Sequence, residues 1–442
     1  MITICAASSG RMEFKMNQKL FDYIKKAPTA YHACANSAKI LEEQGYTRLF
    51  EGKKWNIEAG RGYFVERNGS SLIAFRLPKE NINSFMITAA HGDSPCFKVK
   101  DNAELPDQNF LRLSVEKYGG MLCSTWMDRP LSIAGRVVVK SENGVEIKLF
   151  DLGSPCAIIP NVAIHMNRQA NDGMKYNPAV DMIPLFGEAA EKGKYNKMVA
   201  DAAGVNADDI VSTDAFLYNA DEGIEWGEFI SAPRIDDLQC AFSALEAFTT
   251  SESSDGVMPV YSLFDNEEVG SGTKQGAAST FLYDVLSRAI KAIGGSDEDY
   301  LSAVANSFMV SCDNGHALHP NHPEFADKNH TVVMNKGVVI KYNANQKYTS
   351  DGLSSAVMKI VCDAADVPYQ LYCNRADMAG GSTLGNISNT QVSLNTVDIG
   401  LAQLAMHSAF ETAGAKDTEY LVRALREFYS REMTETNTGY SI

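Results

Sequence analysis

The chain has 442 residues, of which 45% are apolar and 21% charged, and it carries a formal net charge of −15. That is enough chain for a sizeable core and two domains, and its charge argues against nucleic acid, whose affinity comes largely from Lys and Arg on phosphates. No run of about 18 apolar residues predicts a membrane span, and nine scattered cysteines without a C-x-x-C pair point to a reducing cytoplasm rather than a disulfide framework.

The first residues, MITICAASSGRMEFKMN, lack a positive region ahead of a long apolar run and read as a leader segment rather than a signal peptide. Leu20, Tyr23 and Ile24 begin a helical pattern that runs from Met16 to Gln44 and stops at Gly45. SLIAFRL and NSFMITAAHGD follow as strands, the second buried and ending at Asp93. After about Lys100 the pattern changes to short strands and turns, with Asn143-Gly144 as a type I′ hairpin signal and LFGEAAEKGKYNKMVADAAG as a helix. Residues 100–232 therefore read as a β-rich insertion, dividing a discontinuous domain of residues 1–99 and 233–442.

From Ser231 strands and helices alternate. IDDLQCAFSALEAF, TFLYDVLSRAIKAIG and SSAVMKIVCDAA predict helices; VMPVYSLF, NSFMVSC, GVVIKYN, PYQLY and TQVSLNTVDI predict strands. This rhythm predicts an α/β sandwich with a mostly parallel central sheet. In such sheets sites form beyond the carboxyl ends of the strands. There the sequence places His91 and Asp93, then Glu267 and Glu268, then Asp313, with Asp236 and Asp237 opening a helix and His407 on a helix after the last strand. Taken singly, each has an ordinary reading: a solvated turn for the glutamates, a core histidine for His91, an Asx turn at Asp313, a helix cap at Asp236. Taken together they form a carboxylate–histidine set suited to a cation, because uncompensated carboxylates repel one another. Of two adjacent glutamates, one can bind a metal while the other faces the attacking water.

The stretches AAHGDSPCFKVK, TWMDRPLSIAGRV, SAPRIDDL, FDNEEVGS, SCDNGHALHPN, GVVIKYNANQKY, GGSTLG and LAMHS occur in family order over nearly the whole chain. By them the chain resembles the M18 metallopeptidases, the aspartyl aminopeptidase group. The resemblance implies a zinc-exopeptidase α/β fold with a β-rich oligomerisation domain. It implies two zinc ions, with cobalt or manganese able to replace one, held by His91, Asp313, Glu268 and His407 and bridged by Asp236. It further implies Glu267 as general base, Asp93 as the carboxylate orienting His91, and Gly381 beside the oxyanion. His316 and Lys341 would line a side-chain pocket favouring acidic N-terminal residues, and His165 would reach a neighbouring subunit's site. Peptides with free N-termini are the implied substrates and a tetrahedral dodecamer built from dimers the implied assembly. The chain departs from the family in having Asp237 where Asn is usual, and Asn314-Gly315 where bulkier residues are common. An aminopeptidase for neutral or hydrophobic residues, a dinuclear phosphoesterase and an inactive metal-stabilised assembly protein are the alternatives.

Overall fold

A computed structural model describes residues 15–442; the leader segment read in the sequence falls mostly outside them. The predicted N-terminal helix forms as two pieces, residues 15–25 and Ala30–Glu43. The break falls at Pro28, which lacks an amide hydrogen and disfavours helical geometry in the residue before it.

A nine-stranded sheet is the frame of the molecule. Its strands lie side by side in the order Thr47–Leu49, Gly62–Arg67, Ser71–Arg76, Val257–Phe264, Ser84–His91, Phe308–Cys312, Asn395–Gly400, Val338–Tyr342 and Tyr369–Cys373. The central run from Val257–Phe264 to Asn395–Gly400 is parallel throughout, and antiparallel pairs join it to the strands on either flank. Ser84–His91 and Val257–Phe264 are buried along their whole length, as near-continuous apolar runs in a doubly covered sheet should be. One face packs against Ala30–Glu43, Ile235–Thr250, Gly352–Ala364 and Asp417–Tyr429; the other packs against Phe281–Ala292 and Asp297–Ala305. The α/β sandwich of the sequence reading is present.

A second, antiparallel sheet has the strand order Gly144–Asp151, Leu131–Ser141, Ile210–Asn219, Cys96–Pro106, Phe110–Tyr118 and Leu185–Glu188. Phe97, Leu113, Ile133, Val137 and Leu217 form its own core. The expected hairpin at Asn143 exists, but its turn residues are Glu142-Asn143, because Ser141 pairs with Gly144 and Gly144 has already entered the strand at φ +143°. The first part of LFGEAAEKGKYNKMVADAAG pairs as strand Leu185–Glu188, and only Lys194–Ala203 is helical. A third sheet joins Ile224–Trp226 and Phe229–Ala232 to Glu411–Gly414, Ala402–Leu404 and Gly315–His316. All eight cysteines among the described residues are free, and among those residues no helix is long and apolar enough to cross a membrane.

Candidate metal centre

The chemistry gathers at the carboxyl edge of the parallel run. Phe264 pairs with His91 in register, so the segment after Val257–Phe264 emerges beside the end of Ser84–His91. There Asn266 turns the chain at φ +63° into the short turn Glu267–Val269, presenting both glutamates. Asp313 follows Phe308–Cys312 on the other side. Gly400 lets that backbone approach closely, since a Cβ at Gly400 would lie 1.8 Å from the Asp313 carbonyl oxygen. Asp236 and Asp237 open helix Ile235–Thr250 with non-helical dihedrals. His407 is not on a helix as expected. It sits in the turn between Ala402–Leu404 and Glu411–Gly414, where positive φ at Ala405 and His407 reverses the chain.

Donor atoms of His91, Asp236, Asp237 and Asp313 lie within 4.8 Å of one another, as do those of Asp236, Glu268 and His407, and those of His91, Glu267 and Glu268. Asp236 belongs to two of these groups. Its Oδ1 lies 3.4 Å from His91 Nε2 and its Oδ2 lies 3.3 Å from His407 Nε2. His407 Nε2 is also 3.4 Å from Glu268 Oε2. Behind these donors, Asp93 Oδ1 stands 3.4 Å from His91 Nδ1. The carboxylate of Asp93 also accepts from the amides of Glu267, at 3.2 Å, and Glu268, at 3.1 Å.

Electrostatics set this cluster apart from a solvated acidic patch. Burial, reinforced by Asp313, Asp93 and Asp236, pushes the Glu267 carboxyl up to about 8 against the pull of His91. Burial likewise raises Glu268, Asp237 and Asp313, the last to about 6. Burial would lower His407, but Asp236 and Glu268 outweigh it and hold the ring at about 10. Buried negative charge thus exceeds what the nearby cations offset. Asp236 Oδ1 and Glu268 Oε1 are buried with no hydrogen-bond partner. Unpartnered carboxylate oxygens grouped with imidazole nitrogens are the donor set that zinc accepts, and these residues fit it.

The remaining expected residues are placed as follows. His316 is exposed and lines a cavity of about 290 Å³ with Leu318, Phe325, Tyr372, Met378 and Met406. Lys341 is only 2% exposed; its Nζ donates to the Asn314 carbonyl at 2.9 Å and lies 3.8 Å from Asp313 Oδ2. Gly381 lies in the exposed approach to the short helix Leu384–Ser388. His165 stands exposed in the turn-rich segment between Gly144–Asp151 and Leu185–Glu188. Sequence reasoning missed Glu411. Fully buried, it accepts from the Asp236 amide at 3.0 Å and the His407 amide at 2.7 Å, tying the backbones of two candidate donors together. The one available signal was a carboxylate in a short strand of small residues four positions after His407.

Such a donor set at the carboxyl edge of an α/β sheet could hold a metal ion. Residues 23–429 match the family described as Aminopeptidase I zinc metalloprotease (M18). The chain belongs to the M18 family of zinc metalloproteases, and its activity is that of an aminopeptidase. It is 43% identical over 430 residues to the probable M18 family aminopeptidase 2 of Clostridium novyi (strain NT), which covers 95% of this chain and 99% of that relative. The protein of the same name from Pseudomonas savastanoi pv. phaseolicola is 38% identical over 431 residues, with the same coverage. Among solved structures, a chain of the Ape4 and Nbr1 complex superposes with a TM-score of 0.91 at 34% identity, covering 95% of this chain and 86% of that one. The S. cerevisiae mApe1 dodecamer gives 0.83 at 28% identity, covering 95% and 97%.

Proposed function

We propose that the chain releases the N-terminal residue of peptides at a dinuclear zinc centre. His91 and Asp313 would hold one ion, Glu268 and His407 the other, and Asp236 would serve both. The observation that carries this reading is the Asp236 carboxylate, with one oxygen facing His91 and the other His407. Cobalt and manganese accept the same donors, so either could replace one zinc. When bound, the ions would polarise the scissile carbonyl and make the attacking water acidic near neutral pH. Glu267, half-buried at the rim, takes a proton from that water and returns it to the leaving amine. Asp93 keeps His91 and the Glu267 backbone in register, and the Gly381 amide is the candidate donor to the oxyanion. Carboxylates at the blind end of the site hold the free α-amine, so a blocked N-terminus loses its anchor. Substituting Glu267→Gln should leave zinc content unchanged and lower turnover by roughly 10²–10⁴-fold; wild-type turnover in that variant would overturn the base assignment.

For the residue removed, we read an acidic preference, with Lys341 and His316 as the groups an Asp or Glu side chain would meet. One observation favours a second reading, in which neutral side chains are taken. Lys341 is already engaged by Asn314, and the cavity beside His316 is lined largely by apolar side chains. Hydrolysis rates for Asp-, Glu- and Leu-anilides separate the two.

Residues 100–232 would serve as the inserted assembly domain, with 1–99 and 233–442 as the catalytic one. The exposed His165 would complete a neighbouring copy's site in a tetrahedral dodecamer built from dimers, in the cytoplasm. A fully active monomer carrying His165→Ala, sized by light scattering, would refute that arrangement.

A further inference from the structure

The second sheet does not only flank the metal centre; it touches the residues that build it. Tyr118, at the end of strand Phe110–Tyr118, donates its hydroxyl to Asp93 Oδ2 at 2.7 Å. Asn266 Nδ2 donates to the same hydroxyl at 2.9 Å, which leaves its proton for Asp93. The Asp93 carboxylate in turn faces His91 and receives the amides of Glu267 and Glu268. One hydroxyl of the second sheet therefore supports a carboxylate that sets three residues of the centre.

His407 is held from the same side. Its Nδ1 donates to the Gly120 carbonyl at 2.6 Å, which turns Nε2 toward Asp236 and Glu268. The Leu122 amide donates to the His407 carbonyl at 3.0 Å. The Ala409 amide donates to Thr125 Oγ1 at 2.9 Å, and Asn219 Nδ2, at the end of strand Ile210–Asn219, donates to the Ala409 carbonyl at 3.0 Å. The turn that carries His407 has no helix or strand geometry to fix its ring, so these bonds fix it together with the Glu411 carboxylate on its amide.

We infer that residues 118–125 position the metal ligands for the nine-stranded frame, so that zinc binding and docking of the second sheet favour each other. The inference rests on the dinuclear zinc reading above. Reciprocity follows from linkage: if docking tightens zinc binding by some factor, zinc tightens docking by the same factor. Tyr118 is a positioning residue acting through Asp93; it does not itself meet substrate.

Tyr118→Phe removes one oxygen and keeps the ring that packs edge-on against Phe216. Zinc titration of the full chain against a chromophoric chelator should show the variant binding about 10–100-fold more weakly than wild type, the range found for lost outer-shell partners. Hydrogen exchange on the wild-type chain provides a readout independent of any variant: adding zinc should slow exchange at residues 118–125. Equal zinc affinity in Tyr118→Phe and wild type, or exchange at 118–125 that ignores zinc, overturns the inference while leaving the zinc reading standing. Failure of the wild-type chain to bind zinc overturns both.

Discussion

Asp237 shows how context assigns work to a side chain. From its position beside Asp236 it looked like an extra carboxylate near the metal. In the fold its Oδ2 accepts from the His91 amide at 3.3 Å and its Oδ1 from the Asn314 amide at 3.2 Å. It ties the ends of Ser84–His91 and Phe308–Cys312 together across a gap that no backbone ladder closes at that point. Lys341, read as a pocket lysine, spends its charge on the Asn314 carbonyl and on Asp313. Away from the centre, His32 gives the chain an acid-sensitive point. Burial pulls its imidazole down from 6.5 to about 4; Asp151 opposes this and Arg234 adds to it. The folded state thus favours neutral His32, so its contribution is fully present above pH 6.5 and is lost as pH falls toward 4. Between pH 7 and 5 the loss should be roughly 2 kcal/mol. Urea unfolding at both pH values should show a smaller difference for His32→Gln than for wild type. An equal difference would mean that other groups carry the acid sensitivity.

At the scale of elements, most of what the sequence predicted rests on period and termination. The central strands were legible because each is a short run rich in apolar residues, and helix Gly352–Ala364 because SSAVMKIVCDAA has a helical pattern, to which the fold adds a cap. Asp351 accepts from the Ser354 amide at 2.8 Å within a reciprocal capping box. Removing it in Asp351→Ala should cost about 1 kcal/mol, read as a lower urea midpoint with an unchanged slope. A midpoint equal to that of wild type would show that tertiary packing alone fixes this helix start. The elements misread were those whose periodicity conflicts with their partners. LFGEAAEKG has helix-favouring composition, yet Leu185–Glu188 is claimed by the edge of the second sheet at Phe110–Arg112. The segment around His407 lacks a helix breaker, yet it must reverse so that Glu411–Gly414 can pair with Phe229–Ala232. In both places long-range pairing decided against local preference.

For the whole molecule, a chain of net charge −15 concentrates buried carboxylates where its strands end, and a bound cation should stabilise that arrangement. Chelation should lower the melting temperature, and zinc should restore it. Free zinc at 100 times its Kd should be worth about 2.7 kcal/mol. A melting temperature indifferent to chelator and zinc would show that the acidic cluster tolerates itself. The sequence by itself determined the sandwich class and singled out the His, Asp and Glu residues that the fold gathers into one cluster, because apolar runs ending in such residues record both a buried strand and its polar end. Only the tertiary structure decided that Asp236 faces two histidines, that Glu411 ties the Asp236 and His407 backbones, and that Tyr118 and Gly120 contact Asp93 and His407 from another part of the chain. Those relations join residues as far apart as 118 and 266, or 120 and 407, and no local pattern encodes a hydrogen bond between segments that meet only when the chain has folded.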